Sequence, residues 1–226
     1  MPRNFPEKGK NLTNEGESVD LQPLKSELIS AAKLKEPAER SIRIAAIIAE
    51  ALRSIGQDPI LVGGAAVEFY TQGGYTTSDI DMLAEGGPEL IKVMAELGFK
   101  KLGKDFTDDE NKIYVEFPGD GLSSSERAIP LVVANKKLRI LSLEDVIVDR
   151  LCSFKFWKSG TDGLNALKLM EANVEDRERL LARVQEEDVS DALALIQEIR
   201  ETVIRRKIKP AQARSLLEKR MRELKK

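Results

Sequence analysis

Apolar positions follow two different periods along the chain, and the change between them divides it. In "AERSIRIAAIIAEALRSIG" the residues Ile42, Ile44, Ala45, Ile48, Ala49 and Leu52 recur at helical spacing, after Pro37 and before Gly56. A shorter helix is predicted over Leu21 to Leu34. "PILVGG" then reads as a short buried strand, "AAVEFYTQ" as a helix, and "SDIDML" as a strand alternating at period two. "PELIKVMAELG" is a helix closed by Gly98. "FKKLGKDF" and "KIYVEF" read as two strands joined by "TDDEN", and "AIPLVV" with "LRIL" as one or two more. From Ser142 onward every apolar pattern is helical. The expectation is an α+β chain: a mixed sheet with flanking helices over residues 21–141, then an all-helical region over 142–226. Residues 1–20, rich in Pro, Gly, Asn and Glu, read as a disordered tail.

Three features carry candidate chemistry. Alternation puts Asp79 and Asp81 on one strand face while Ile80 and Met82 point to the other. Like charges that close repel, and a cation is the usual compensator. Gly63 and Gly64 stand between a strand and a helix, where the backbone can approach a ligand and the helix N-terminus favours phosphate. Glu116 is a lone carboxylate between apolar residues of "YVEF". Taken singly, each has a plain structural reading: a turn, a solvated strand face, an edge residue.

Composition narrows the chemistry. The chain has no histidine, which removes His-dependent triads, His general bases and His-ligated zinc. A single cysteine, Cys152, excludes an internal disulfide framework and reads as a small buried residue. Aromatic residues are 5% of the chain, which argues against a base-stacking surface for single-stranded nucleic acid. Phe154 and Trp157, three apart on one helix, read as core packing. No apolar run approaches the roughly 20 residues that span a bilayer, and the amino terminus lacks the apolar stretch of a signal peptide. A soluble, cytoplasmic protein without a membrane partner is expected. Charge is uneven: Arg200–Lys226 holds eleven Lys/Arg against three Glu, 11 − 3 = +8, although the whole chain is −2. That end reads either as an amphipathic helix packed on the body or as a patch for nucleic-acid phosphates or an acidic partner.

Together, "LVGGAAVEFY", "TTSDIDML" and "YVEF" resemble the DNA polymerase beta-like nucleotidyltransferase superfamily. The likeness is to its minimal and abortive-infection toxin-type branch, and "LRILSLEDVIVDRL" is similar to the segment leading those proteins into their helical half. The resemblance implies transfer of a nucleoside monophosphate from an NTP such as ATP to an acceptor hydroxyl, with Mg²⁺ or Mn²⁺. It implies that Asp79, Asp81 and Glu116 are the metal-holding and catalytic carboxylates, Glu116 also accepting the nucleophile's proton. It implies nucleotide contacts from Gly63, Gly64, Thr77 and Ser78, with Arg150 and Lys155 as basic candidates; Arg150 also reads as an ion-pair partner. Acceptors in this family include an RNA or tRNA end, a protein side chain or a small molecule such as an antibiotic, and toxin-type members imply a partner antitoxin.

The chain departs from the pattern at three points. Tyr75 stands where many relatives have an arginine, and Thr161 and Asn165 replace a lysine and an aspartate around Asp162. These departures leave a second class open, a nucleotide- or partner-binding protein without turnover. Asp120 and Glu110 flank the Glu116 strand and are the alternatives for the third carboxylate.

Overall fold

The computed structural model describes residues 20–172 and 174–224. The tail expected over residues 1–20 lies outside them, except for Asp20. The chain begins with α1 (Gln22–Ala31) and α2 (Pro37–Arg53), the latter opened by Pro37 and by the Glu36 carboxylate, which accepts from the Glu39 N–H at 2.8 Å. Then follow β1 (Ile60–Val62), α3 (Gly63–Tyr70), β2 (Asp79–Leu83) and α4 (Pro88–Leu97). Five strands come next: β3 (Lys100–Leu102), β4 (Asp105–Asp108), β5 (Ile113–Glu116), β6 (Ala128–Val133) and β7 (Lys136–Leu141). The helices α5 (Leu143–Phe156), α6 (Gly160–Leu169), α7 (Arg177–Glu186), α8 (Ser190–Arg206) and α9 (Pro210–Arg220) complete the chain, with a 3-10 turn over Met221–Glu223.

The fold is α+β, with one mixed sheet of seven strands in the order β3-β4-β5-β2-β1-β7-β6. Two parallel pairings, β1 with β7 and β2 with β5, sit among antiparallel neighbours. "FKKLGKDF" is not one strand. Gly103 at φ +62° lets the chain reverse in two residues, so this segment forms the β3–β4 hairpin with Leu102 opposite Asp105. The β6–β7 hairpin turns at Ala134 and Asn135, both at positive φ, and settles the open reading of "AIPLVV…LRIL" as two strands.

Helices α2 and α4 pack on the sheet and α1 packs on both of them, and Ile80, Met82, Val115 and Ile140 of the sheet are buried. The apolar core is continuous from α1 to α9. The sheet is joined to the helical region through Asp145, buried at the start of α5. Its carboxylate accepts from the Ser142 hydroxyl (2.7 Å), the Arg127 backbone N–H (2.9 Å), the Arg179 guanidinium (2.5 Å) and Arg183 Nε (3.0 Å). Burial alone would raise this carboxyl's pKa, but those donors together hold it below its ordinary value. Among the described residues no helix is long and apolar enough to cross a membrane.

Candidate active site

Strand register assembles the carboxylates. Asp81 on β2 is the registered partner of Val62, the last residue of β1, on one side and of Glu116 on the parallel strand β5 on the other. Registered partners project to the same side of a sheet, so Asp81 and Glu116 stand next to each other. Asp79 shares that face at period two, opposite Tyr114. The face is the open one, since Asp79 and Tyr114 are exposed while the intervening Ile80 and Val115 are buried. One residue that periodicity did not single out completes the row: Asp105 on β4 is registered with Glu116 from the far side. Its Oδ1 is buried without a hydrogen-bond partner. The signal for it was in the sequence, because recognising Gly103 as a hairpin turn would have set the β4 register.

The glycine pair fits tightly against these groups. Val62 ends β1, and Gly63 at φ +59° turns the chain into α3. A Cβ on Gly63 would lie 2.1 Å from Asp81 Oδ2, and one on Gly64 would lie 2.7 Å from Thr77 Oγ1. The Gly64 N–H donates to Asp81 Oδ2 at 3.2 Å, so the chain's own carboxylate occupies the positive end of α3. The opposite end of this helix is fixed by the Tyr70 hydroxyl, which donates to the Leu141 carbonyl at 2.9 Å. Thr77 Oγ1 accepts from the Asp79 N–H at 3.4 Å, and the Ser78 hydroxyl donates to Asp79 Oδ1.

Electrostatics single out Asp81. Burial raises its pKa; the Gly64 N–H opposes this, Glu116 and Asp79 raise it further, and Arg150 lowers it. Glu116 is paired with Lys104 from the β3–β4 turn, an exposed side chain whose own pKa that contact raises. Arg150 is only 16% exposed and held by Asp162 at 2.7 Å and by Asp149. Of its two readings the ion pair describes its contacts, and the pair is half-buried, not on the surface. Asp162 thereby has a role in positioning Arg150.

Other expectations fall elsewhere. The Lys155 ammonium is buried against Asp191 (3.1 Å) and Asp188 (3.4 Å) where α7 meets α8, and the structure does not bring it to the glycines. Asp120 lines a cleft of about 730 Å³ with Asp58 and Gly86 at the other end of the sheet, and Glu110 is exposed in the β4–β5 turn. Phe154 is fully buried, as read, but Trp157 is 83% exposed. Helical spacing placed the two together; α5 ends at Phe156, and among the described residues nothing covers the indole beyond it. The Cys152 thiol is half-buried and pushed up to about 11, chiefly by burial.

The donor chemistry of the row fits a hard divalent cation, which takes carboxylate oxygens. Among the described residues no three such groups enclose an ion as they stand. Glu116 would have to leave Lys104, and Asp79 would have to leave the Ser78 hydroxyl.

No family model and no curated protein matches the chain. Among solved structures, it is similar to an antigenic nucleotidyltransferase-like protein from Paracoccidioides brasiliensis, with 16% identity, covering 75% of this chain and 93% of that one, at a TM-score of 0.47. A likeness at that level decides nothing about activity.

Proposed function

We propose that the chain is a nucleotidyltransferase that moves a nucleoside monophosphate from an NTP to an acceptor hydroxyl. The observation that carries this reading is the registered pairing of Asp81 with Glu116, with Asp79 on the same face and Gly63–Gly64 at the edge. Asp79, Asp81 and Glu116 would hold Mg²⁺ or Mn²⁺. When bound, such an ion neutralises triphosphate charge and stabilises the oxygens around the α-phosphorus.

The chain's own groups account for the rest. The Gly64 N–H and the first turn of α3 can bind a phosphate oxygen once Asp81 turns away from them. Thr77 and Ser78 offer hydroxyls at the same edge. Glu116 accepts the proton of the acceptor hydroxyl as its oxygen forms a bond to the α-phosphorus, and the bond from that phosphorus to pyrophosphate breaks. Arg150 reduces the negative field on Asp81. An RNA or tRNA end or a protein hydroxyl as acceptor and an antitoxin partner rest on the family resemblance, and a cytoplasmic setting on the sequence pattern alone.

A second reading, a nucleotide- or partner-binding protein without turnover, is favoured by one observation: two of the candidate carboxylates are already engaged, Glu116 by Lys104 and Asp79 by the Ser78 hydroxyl. The deciding experiment incubates the protein with each labelled NTP, Mg²⁺ and total RNA, and follows the label. Transfer that Asp79→Asn and Asp81→Asn abolish is expected. NTP binding without transfer to RNA, protein or added small-molecule hydroxyls would leave only the second reading.

A further inference from the structure

We infer that the corner where the end of α5 meets α9 receives the single-stranded end of a nucleic-acid acceptor. One base stacks on Trp157 and the neighbouring phosphates lie on Lys219 and Arg222. This deepens the transferase reading by naming the acceptor class, and it begins from the indole. Trp157 is the sole tryptophan of the chain and is 83% exposed in a protein poor in aromatic residues. Burying an indole gains much and leaving it in water gains nothing, so an uncovered one asks for an occupant.

Position says what surrounds it. The residue after Trp157, Lys158, donates from Nζ to the Leu224 carbonyl at 3.4 Å. Gly160, at the start of α6, lies so close to α9 that a Cβ there would be 2.8 Å from Glu218 Cγ. The α5–α6 turn thus abuts the end of α9 and the 3-10 turn after it, where Lys219 and Arg222 are exposed. Along the same helix pair, Lys207 and Lys209 are exposed at the α8–α9 turn. Among the described residues these four cations form no ion pair.

Charge selects the occupant. Phe156 beside Trp157 is exposed as well, Lys158 follows on the chain, and Lys219 and Arg222 are exposed on the segment that this turn abuts, so the corner offers aromatic faces beside positive charge. A π-face beside a cationic track is the arrangement that binds single strands, by stacking and by counterion release. One indole cannot hold a run of bases, but it can hold one. That suits an end, and it reconciles the scarcity of aromatics with nucleic-acid contact. Arg150 lies on α5 and Trp157 is the residue that caps its end, seven positions on, which puts the two on the same side of the helix and about 10 Å apart along it. α5 packs on α3, the helix that opens at Gly63–Gly64, so a strand end held at Trp157 lies at the end of a helix that touches the candidate site.

The test uses the full chain, with Trp157 as its own reporter. The protein is titrated with a single-stranded RNA of about ten nucleotides, with polyglutamate and with NTP alone, following intrinsic fluorescence. Saturable quenching by RNA that weakens steeply with salt is expected. By anisotropy of labelled RNA, Trp157→Ala should weaken binding roughly tenfold with Trp157→Phe recovering most of it, and Lys219→Glu with Arg222→Glu should flatten the salt dependence. Unchanged melting temperatures would show that these exposed positions act on binding and not on folding. The inference is overturned by absence of RNA quenching, by quenching from polyglutamate in its place (an acidic protein partner), or by equal quenching from NTP alone. Quenching by RNA without label transfer would sink the transferase reading and keep this surface; transfer to RNA without quenching would do the reverse.

Discussion

Asp81 and Glu116, 35 positions apart in the chain, are registered partners on two parallel strands, with their carboxylates on the open face of the sheet. The two groups have different surroundings. Asp81 accepts from the helix N-terminus, whereas Glu116 is paired with an exposed lysine. Different surroundings imply separable roles.

Glu116→Gln should therefore keep NTP affinity within about twofold of wild type while transfer falls by roughly a hundredfold or more, since the lost group acts on the proton in the transition state. Asp81→Asn should damage both. NTP titration beside label transfer checks the split. If Glu116→Gln transfers label at the wild-type rate, the register offers Asp105 as the third carboxylate, and Asp105→Asn becomes the variant that must fail.

Asp81 is also a local liability without a cation. Its pKa is raised by burial and by Glu116 and Asp79, so its ionised form opposes folding at neutral pH. Asp81→Asn should melt higher than wild type in chelator, by roughly 2–4 °C for each kcal/mol of repulsion relieved. NTP with Mg²⁺ should stabilise the wild type and not the variant. Gly63→Ala should also lose nucleotide binding but melt lower than wild type, since its Cβ would displace the Asp81 carboxylate.

Glu68 on α3 is fully buried, and neither carboxylate oxygen has a hydrogen-bond partner among the described residues. Burial raises its pKa above the ordinary 4.5, with nearby Ser41 and Arg40 opposing and Glu36 adding. A raised acid is protonated more readily folded than unfolded, so stability falls as pH rises from about 4.5 through the folded value and then levels. Glu68→Met, close in volume, should remove that fall and be the more stable protein at pH 7. Urea midpoints measured from pH 4 to 8 would show it; parallel curves for the two proteins would contradict the argument.

Asp145 titrates in the other direction. Its donors hold the pKa below 3.8, so its contribution is fully present above that value and is lost as pH falls through the folded value. Asp145→Ala removes the acceptor shared by Ser142, Arg127, Arg179 and Arg183, leaving Arg183 on Glu186 and Glu187 alone, and should cost about 1–3 kcal/mol. The loss should appear at pH 7 in denaturant unfolding, with the acid limb of the stability curve shallower than in wild type.

The sequence by itself determined what is local. Period-two alternation put Asp79 and Asp81 on one face and sent Ile80 and Met82 to the other, and the change to 3.6-residue spacing at Ser142 marked where strands end. Proline and glycine set the limits of α2 and α4. Tertiary structure decided whatever depends on partners distant in sequence. That β5 lies parallel to β2, and so brings Glu116 beside Asp81, follows from how the sheet assembles; alternation fixes a residue's face but not its neighbour. The same holds for Asp105, whose place depends on a hairpin at Gly103, and for Asp120, which the sheet carries to its opposite end. Helical periodicity likewise shows which side chains share a face and not what covers it. Lys155 and Phe154 are neighbours on α5, and Trp157 caps its end. One is buried against Asp188 and Asp191, one lies in the core against Gly163, and one stands in water, because α6 and α8 pack over part of that helix and leave its end bare.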